Sequence, residues 1–256
     1  MDLKDRASGS FIGLAVGDAL GSPTEGKTPD EITSRWGRVT DFLTDDQGGS
    51  DDTEYALFSA KLLLEKKREL TSADVAKAWR RDIIKSDNAY KGAGFSEIIA
   101  IANLSNGLQP PQSGQHLHSW SDGLAMRVVP FGIAFTSNPE LAAQYAEIDG
   151  AVSHSGEGIY SGQAIAAAIS VAMSGASLEL IIQAALDAVP KDSWTFNTIS
   201  QGVKIGQNSN DVWNSIKPLH KAIAWAYYYW TDVAPEAVGL AYGIITAAKL
   251  QFEDAV

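Results

Sequence analysis

In the stretch DDQGGSDDTEYAL, residues 45–57, four aspartates (Asp45, Asp46, Asp51 and Asp52) stand around a Gly-Gly-Ser corner. Gly48 and Gly49 break any helix there, and Asp51 followed by Glu54 reads as a helix start with acidic residues in its first turn. At such a start Asp51, Asp52 and the hydroxyls of Ser50 and Thr53 converge. Hard oxygen donors of this kind suit Mg²⁺, Mn²⁺ or Ca²⁺. The same acidic start is also favoured by the helix macrodipole alone, with no ion to hold. Two sharper readings are tested by spacing, and the EF-hand one fails. An EF-hand loop needs an acidic twelfth residue, and counting from Asp45 or Asp46 reaches Ala56 or Leu57. A diphosphate-gripping acidic motif of the isoprenoid-synthase kind lies within one helical face, which Gly48-Gly49 interrupts here.

Other segments offer single groups. GLAVGDALGSPTEG (13–26) runs a glycine-spaced helix into a Gly-Ser-Pro turn and leaves Glu25 on a loop. A loop carboxylate near a cation is a candidate general acid or base, or a ligand; elsewhere it is ordinary surface. SWSDGLAMRVVPFG (119–132) sets Ser121, Asp122, Gly123 and Leu124 ahead of an apolar run. Small residues with accessible backbone N–H groups can cradle a phosphate or ribose, or simply make a turn. AVSHSGEGIYSGQA (151–164) brings His154 just before a helix rich in small residues. The aromatic run WAYYYW (225–230) can stack an adenine or fill a core.

The elements that must position these groups are helical. Ala56, Leu57, Ala60, Leu63 and Leu64 fall at i, i+1, i+4, i+7 and i+8. SADVAKAWRRDIIK (72–85) carries Val75, Trp79 and Ile83 on one face, and SEIIAIANLSNG (96–107) stops at Asn-Gly. NPELAAQYAEIDGAVSH and SGQAIAAAISVAMSG follow, the second so rich in Ala, Gly and Ser that it is expected at the centre with close neighbours. SLELIIQAALDAV, LHKAIAWAYYYW and APEAVGLAYGIITAAKL complete the set. RVTDFL (38–43) is the one short candidate strand. No Pro/Gly/Ser-rich linker divides the helices, so the expectation is an all-α, single compact multi-helix domain over 1–256.

Composition bounds the rest. The chain of 256 residues is 45% hydrophobic and has no cysteine, which excludes disulfides and thiolate metal sites. A net charge of −11 argues against nucleic-acid binding through clustered Lys and Arg. No apolar run reaches the roughly 20 residues that span a bilayer. The N-terminal stretch is acidic and glycine-broken, unlike a signal peptide. The expectation is a cytoplasmic protein with no membrane or nucleic-acid partner.

Taken in order, GLAVGDALGSPTE, GSDDTEYAL, GAGFS with SDGLAMRVVPFG, and SHSGEGIYSGQAIAAA resemble the ADP-ribosylglycohydrolase family. These motifs span residues 8 to about 175. The resemblance implies the all-α orthogonal fold of that family and a hydrolase with two Mg²⁺ or Mn²⁺ ions that removes ADP-ribose from a modified target. It further implies that Ser50, Asp51 and Asp52 are metal ligands, with Ser50 in place of the family's threonine. Glu25 and Asp52 become the catalytic candidates. Gly92, Gly94, Ser121, Asp122, Gly123, Leu124 and His154 match groups around ADP-ribose.

One family feature is not matched. A late Gly-x-Asp-x-Asp-Thr motif completes the metal pair, and neither Glu253 nor Asp254 fits it. The expectation is therefore a chain lacking its C-terminal metal-binding segment, its second metal site incomplete. The alternative is a catalytically silent member, acting as an ADP-ribose-binding or crystallin-like structural protein.

Overall fold

The computed structural model describes residues 2–45, 47–86, 94–224 and 232–256. Among these the chain is helical throughout, and its only β feature is an isolated antiparallel bridge between Ser121 and Val233. The RVTDFL segment forms no strand; residues 37–45 and 47–50 are irregular.

Helix α1 (Leu3–Gly21) leads through a short 3₁₀ turn (Ser22–Thr24) to Glu25 and then α2 (Pro29–Trp36). Thr28 and Glu31 make a reciprocal capping box that starts α2. The irregular stretch ends at α3 (Asp51–Lys66). Its buried face is Tyr55, Ala56, Phe58, Ser59, Leu62 and Leu63, whereas Leu57 and Leu64 are 57% and 78% exposed. The expected stripe therefore sits partly on the wrong side, because the aromatic rings of Tyr55 and Phe58 define the inward direction.

Helix α4 (Ser72–Ala78) continues into a π-helical turn (Trp79–Ile83), and Val75, Trp79 and Ile83 are all buried as their spacing requires. Helix α5 (Phe95–Ser105) ends at Asn106, with Gly107 at a φ of 92°. Next come α6 (Val129–Ala134), α7 (Pro139–Gly150) and α8 (Glu157–Ala172). The small-residue helix α8 occupies the centre, packed against α6, α7 and α9 (Leu178–Asp187). Its Ala164, Ala166, Ala167 and Ala168 are buried, so neighbouring helices approach closely.

Helix α10 (Trp194–Gln207), which periodicity leaves unassigned, pairs with α12 (Ala234–Ala247); α11 (Val212–Ile223) packs on both. The α10–α12 contact is backbone on backbone. A Cβ at Gly202 would overlap the carbonyl oxygen of Gly239, and one at Gly239 would come 2.7 Å from Thr198 Cβ. Glycine is required at both places by proximity rather than by dihedral freedom. Helix α12 stops at Ala247 without glycine or proline. Lys249 and Leu250 adopt left-handed φ values of 53° and 62° before the short α13 (Phe252–Ala255). That region is a turn between helices rather than a helix running on.

Candidate active site

The site begins with a cap supplied from another helix. Ser50 is the N-cap residue of α3 but makes no side-chain cap bond of its own. Instead the Asp18 carboxylate, from α1, accepts from Ser50 N (2.7 Å), Ser50 Oγ (2.7 Å), Thr53 N (3.1 Å) and Thr53 Oγ1 (2.5 Å). Orphan N–H groups at a helix start need such an acceptor. Gly49 leaves room for it: a Cβ there would come 2.6 Å from Thr53 Oγ1 and 3.0 Å from Asp18 Oδ2. Upstream, Gln47 accepts from the backbone of Leu43 and Thr44 and donates to the Ala19 carbonyl. The loop is thereby tied to the last turns of α1 just before it enters α3.

This cap settles where the Ser50 hydroxyl points. Its oxygen lies 2.7 Å from Asp18 Oδ1 and 3.4 Å from Asp52 Oδ2, so the hydroxyl donates chiefly to Asp18 with Asp52 as the longer acceptor. Asp51 and Asp52 stand in the first turn of α3, half-buried. Burial, then Asp18, Asp51 and Glu25, push the Asp52 carboxyl up to about 7. Burial is also the main cause that raises Asp51. Glu25 keeps an exposed edge on its loop, yet partial burial of its carboxyl, followed by Asp51, Asp232 and Asp18, raises it too.

The second wall is the Ser121–Leu124 turn. It crosses the residues that lead into α12: Asp122 N donates to the Asp232 carbonyl (3.0 Å), and Ala234 N donates to the Trp120 carbonyl (2.9 Å). Asp122 and Asp232 are thereby held side by side. Burial, then Asp232, Asp52 and Glu97, hold the Asp122 carboxyl well above the carboxylate range. Six carboxyl groups, Asp18, Glu25, Asp51, Asp52, Asp122 and Asp232, thus act on one another from four parts of the chain.

Behind this wall lies a fully buried polar network. Arg127 donates to Asp149 (2.6 Å), Glu97 (2.9 Å), the Gly123 carbonyl (3.0 Å) and Ser153 Oγ (3.0 Å). Its guanidinium also sits 5.4 Å from the Trp79 ring centroid and 5.8 Å from that of Tyr55. Ser121 and His154 belong to the same network, at 0% and 1% exposure. Burial, then Arg127, hold the His154 imidazole well below its usual range. Burial raises Glu97 against the opposing pull of Arg127 and Ser121.

The structure thus brings Glu25, Asp51, Asp52 and Asp122 into one acidic centre, with Ser50 beside them. It places the Ser121 and His154 side chains inside the wall, occupied by protein partners. Leu124 is a core residue packed on Gly150 and Gly162. Gly94 packs against Glu97 and Ser121. Gly92, Asp46 and the aromatic run 225–230 lie outside the described residues. Asp45 is exposed. Two members of the centre, Asp18 and Asp232, escape the sequence reading as site groups. Asp232 has a local signal: an acidic residue two positions before Ala-Pro at a helix start. Asp18 has none, since its task is defined by a partner far along the chain.

In donor chemistry the centre fits a hard divalent cation: the Ser50 hydroxyl oxygen beside the Asp51 and Asp52 carboxyls, whose charged forms burial and neighbouring carboxylates disfavour. Among the described residues, no three Asp, Glu or His side chains are drawn together tightly enough to hold an ion as they stand. A groove of about 780 Å³ opens beside Asp18 and Asp52 and runs along Gly9, Gly13 and Leu14 toward Phe252. No described helix is long and apolar enough to cross a membrane.

Comparison with known proteins gives four matches. A family model described as ADP-ribosylglycohydrolase matches residues 1–256. An uncharacterized protein of Archaeoglobus fulgidus is 32% identical over 176 residues, covering 66% of this chain and 56% of that protein. ADP-ribosylhydrolase ARH3 of Danio rerio is 29% identical over 199 residues, covering 73% of this chain and 50% of the relative. The chain spans about half the length of these curated relatives. Among solved structures, an ADP-ribosylglycohydrolase-related protein complex has a TM-score of 0.61 at 19% identity, covering 99% of this chain and 83% of that one. At that identity the likeness carries the fold.

Proposed function

The chain belongs to the ADP-ribosylglycohydrolase family, and from that membership we propose that it hydrolyses the bond between ADP-ribose and a modified protein or small molecule. Water adds to the anomeric carbon, the bond to the acceptor breaks, and the acceptor leaves with a proton. The observation that carries this reading is the acidic centre at the start of α3, where six carboxyl groups act on one another around Asp52.

Ser50, Asp51 and Asp52 would hold Mg²⁺ or Mn²⁺, with Asp232 as the carboxylate contributed from the late part of the chain. A cation bound there supplies Lewis-acid stabilisation and lowers the pKa of water. Asp18 fixes the hydroxyl direction of Ser50, so the ligand face is set before any ion arrives. Glu25, with a raised pKa on a partly exposed loop, is placed to exchange a proton with water or the leaving group. The Ser121–Leu124 turn offers backbone to the ADP-ribose, and His154 supports that turn from behind. Asp122, whose carboxyl burial, Asp232, Asp52 and Glu97 push upward, stands on that turn beside the acidic centre.

The test is release of ADP-ribose from ADP-ribosylated protein with Mn²⁺ or Mg²⁺, in wild type and in Asp51→Ala and Asp52→Ala. Loss of release in both variants and in EDTA supports the reading. Undiminished turnover in the variants with EDTA present would sink it. Binding of ADP-ribose with no turnover under any metal condition would instead favour the silent, ligand-binding alternative.

A further inference from the structure

The buried network behind the ligand wall closes on itself, and its hydrogen-bond directions can be worked out group by group. Arg127 can only donate, so Nη2 donates to Ser153 Oγ (3.0 Å) and Nη1 to Glu97 Oε1 (2.9 Å). Ser121 Oγ lies 3.0 Å from Glu97 Oε2 and 3.1 Å from His154 Nε2, and Ser153 Oγ lies 2.8 Å from His154 Nδ1.

With Glu97 a carboxylate, Ser121 must donate to it and accept from His154 Nε2–H. The Nδ1 lone pair then accepts from Ser153. Every hydrogen in the ring has an acceptor. With Glu97 protonated, the sense reverses: Glu97 donates to Ser121, Ser121 to Nε2, and Nδ1–H to Ser153. Ser153 Oγ would then face two donors, and its own hydrogen would have no acceptor in the ring. A fully buried unsatisfied hydroxyl is costly, so the first sense holds.

Glu97 also grips both ends of the turn that carries Asp122. It accepts from Ser121 at one end. At the other, a Cβ on Gly123 would overlap its carboxylate, while Arg127, held by Glu97, donates to the Gly123 carbonyl. The turn is fixed between these two contacts, with Asp122 N on the Asp232 carbonyl facing the acidic centre.

We infer that Glu97 is a positioning residue for the Ser121–Leu124 turn, holding it in one register through a closed ring of buried hydrogen bonds that fixes His154 as the neutral Nε2–H tautomer. His154 in this state has both ring nitrogens committed, so it carries no proton to or from substrate. The positioning role rests on the reading of this turn as part of the ADP-ribose pocket; the ring assignment does not.

Two measurements test the inference: long-range ¹⁵N–¹H NMR of ring-labelled histidines, with His154 assigned through His154→Gln, and ADP-ribose affinity by calorimetry. Wild type is expected to show Nε2–H. In Glu97→Gln the amide oxygen stays on Arg127 and the NH₂ faces Ser121, so the ring reverses and His154 becomes Nδ1–H. ADP-ribose affinity is expected to fall about tenfold, the effect of one rearranged buried hydrogen bond. Ser153→Ala opens the ring on the side away from the turn and is expected to weaken affinity in the same direction; it carries the test should Glu97→Gln fail to fold. An Nδ1–H tautomer in wild type overturns the ring. Unchanged affinity in the folded variants, in a wild type that binds ADP-ribose, overturns the positioning role. Nε2–H in a wild type that does not bind ADP-ribose removes the functional reading, and the positioning role with it, while the ring stands.

Discussion

Asp18 accepts both the backbone N–H and the hydroxyl of Ser50, a residue 32 positions further along the chain. One carboxylate thus caps α3 and orients the hydroxyl beside Asp52. Asp18→Ala is expected to cost about 0.5–2 kcal/mol, the usual range for a lost helix cap. Hydrogen exchange should accelerate at residues 51–54, and urea denaturation should show the loss. An unchanged exchange pattern there would mean that the cap is redundant.

The Asp52 carboxyl, pushed up to about 7, gives a stability trend with a definite sign. A carboxyl raised above its unfolded value near 3.9 binds its proton more tightly in the native state. Its stabilising effect is full below about pH 4 and is lost as pH rises through 7. Asp51, Glu25 and Asp122 shift the same way. In EDTA the melting temperature should fall between pH 5 and pH 8, and Asp52→Asn should flatten part of that fall. In a chain of this size, each kcal/mol corresponds to about 2–4 °C. A rising or flat profile from wild type would contradict the charge arrangement.

Arg127 is fully buried between Asp149 and Glu97. Removing one partner of such a cluster leaves unpaired charge in the interior, so Arg127→Met is expected to cost about 3–5 kcal/mol. Equilibrium denaturation measures this directly. The loss should shrink when Glu97→Gln is added, because one of the two stranded carboxylates is then neutral. Additive losses in the double variant would show that the two residues are energetically independent.

Gly202 touches the α12 backbone at Gly239, and Asp232 lies two residues before the first residue of α12. Gly202→Ala should force α10 and α12 apart at a cost of about 1–3 kcal/mol, as overpacking does. Because Asp232 moves with α12, ADP-ribose release should drop beyond what the lost stability explains. Full activity at a temperature where the variant remains folded would show that α12 tolerates the shift.

The sequence by itself determined the helical architecture and one arm of the centre. Helical periodicity needs only local spacing, so Val75, Trp79 and Ile83 could be placed on a buried face, and the Ala-rich α8 at the core. Gly48-Gly49 followed by Ser-Asp-Asp is likewise local, and it marks the start of α3. Local pattern misjudged the inward face at Leu57 and Leu64, because which side is buried depends on what packs there. It also offered RVTDFL as a strand, although no partner strand exists among the described residues.

Tertiary structure decided what the remaining groups do. Asp18 became a cap because α1 ends beside the start of α3, and no spacing in the chain encodes that meeting. Asp232 joined the centre because residues 120–122 cross residues 232–234. His154, a candidate beside the ligand from sequence, became part of a buried ring because Arg127, Glu97 and Ser153 surround it. Residue type fixes what a side chain can donate, accept or carry; only its neighbours in space decide which of these it does.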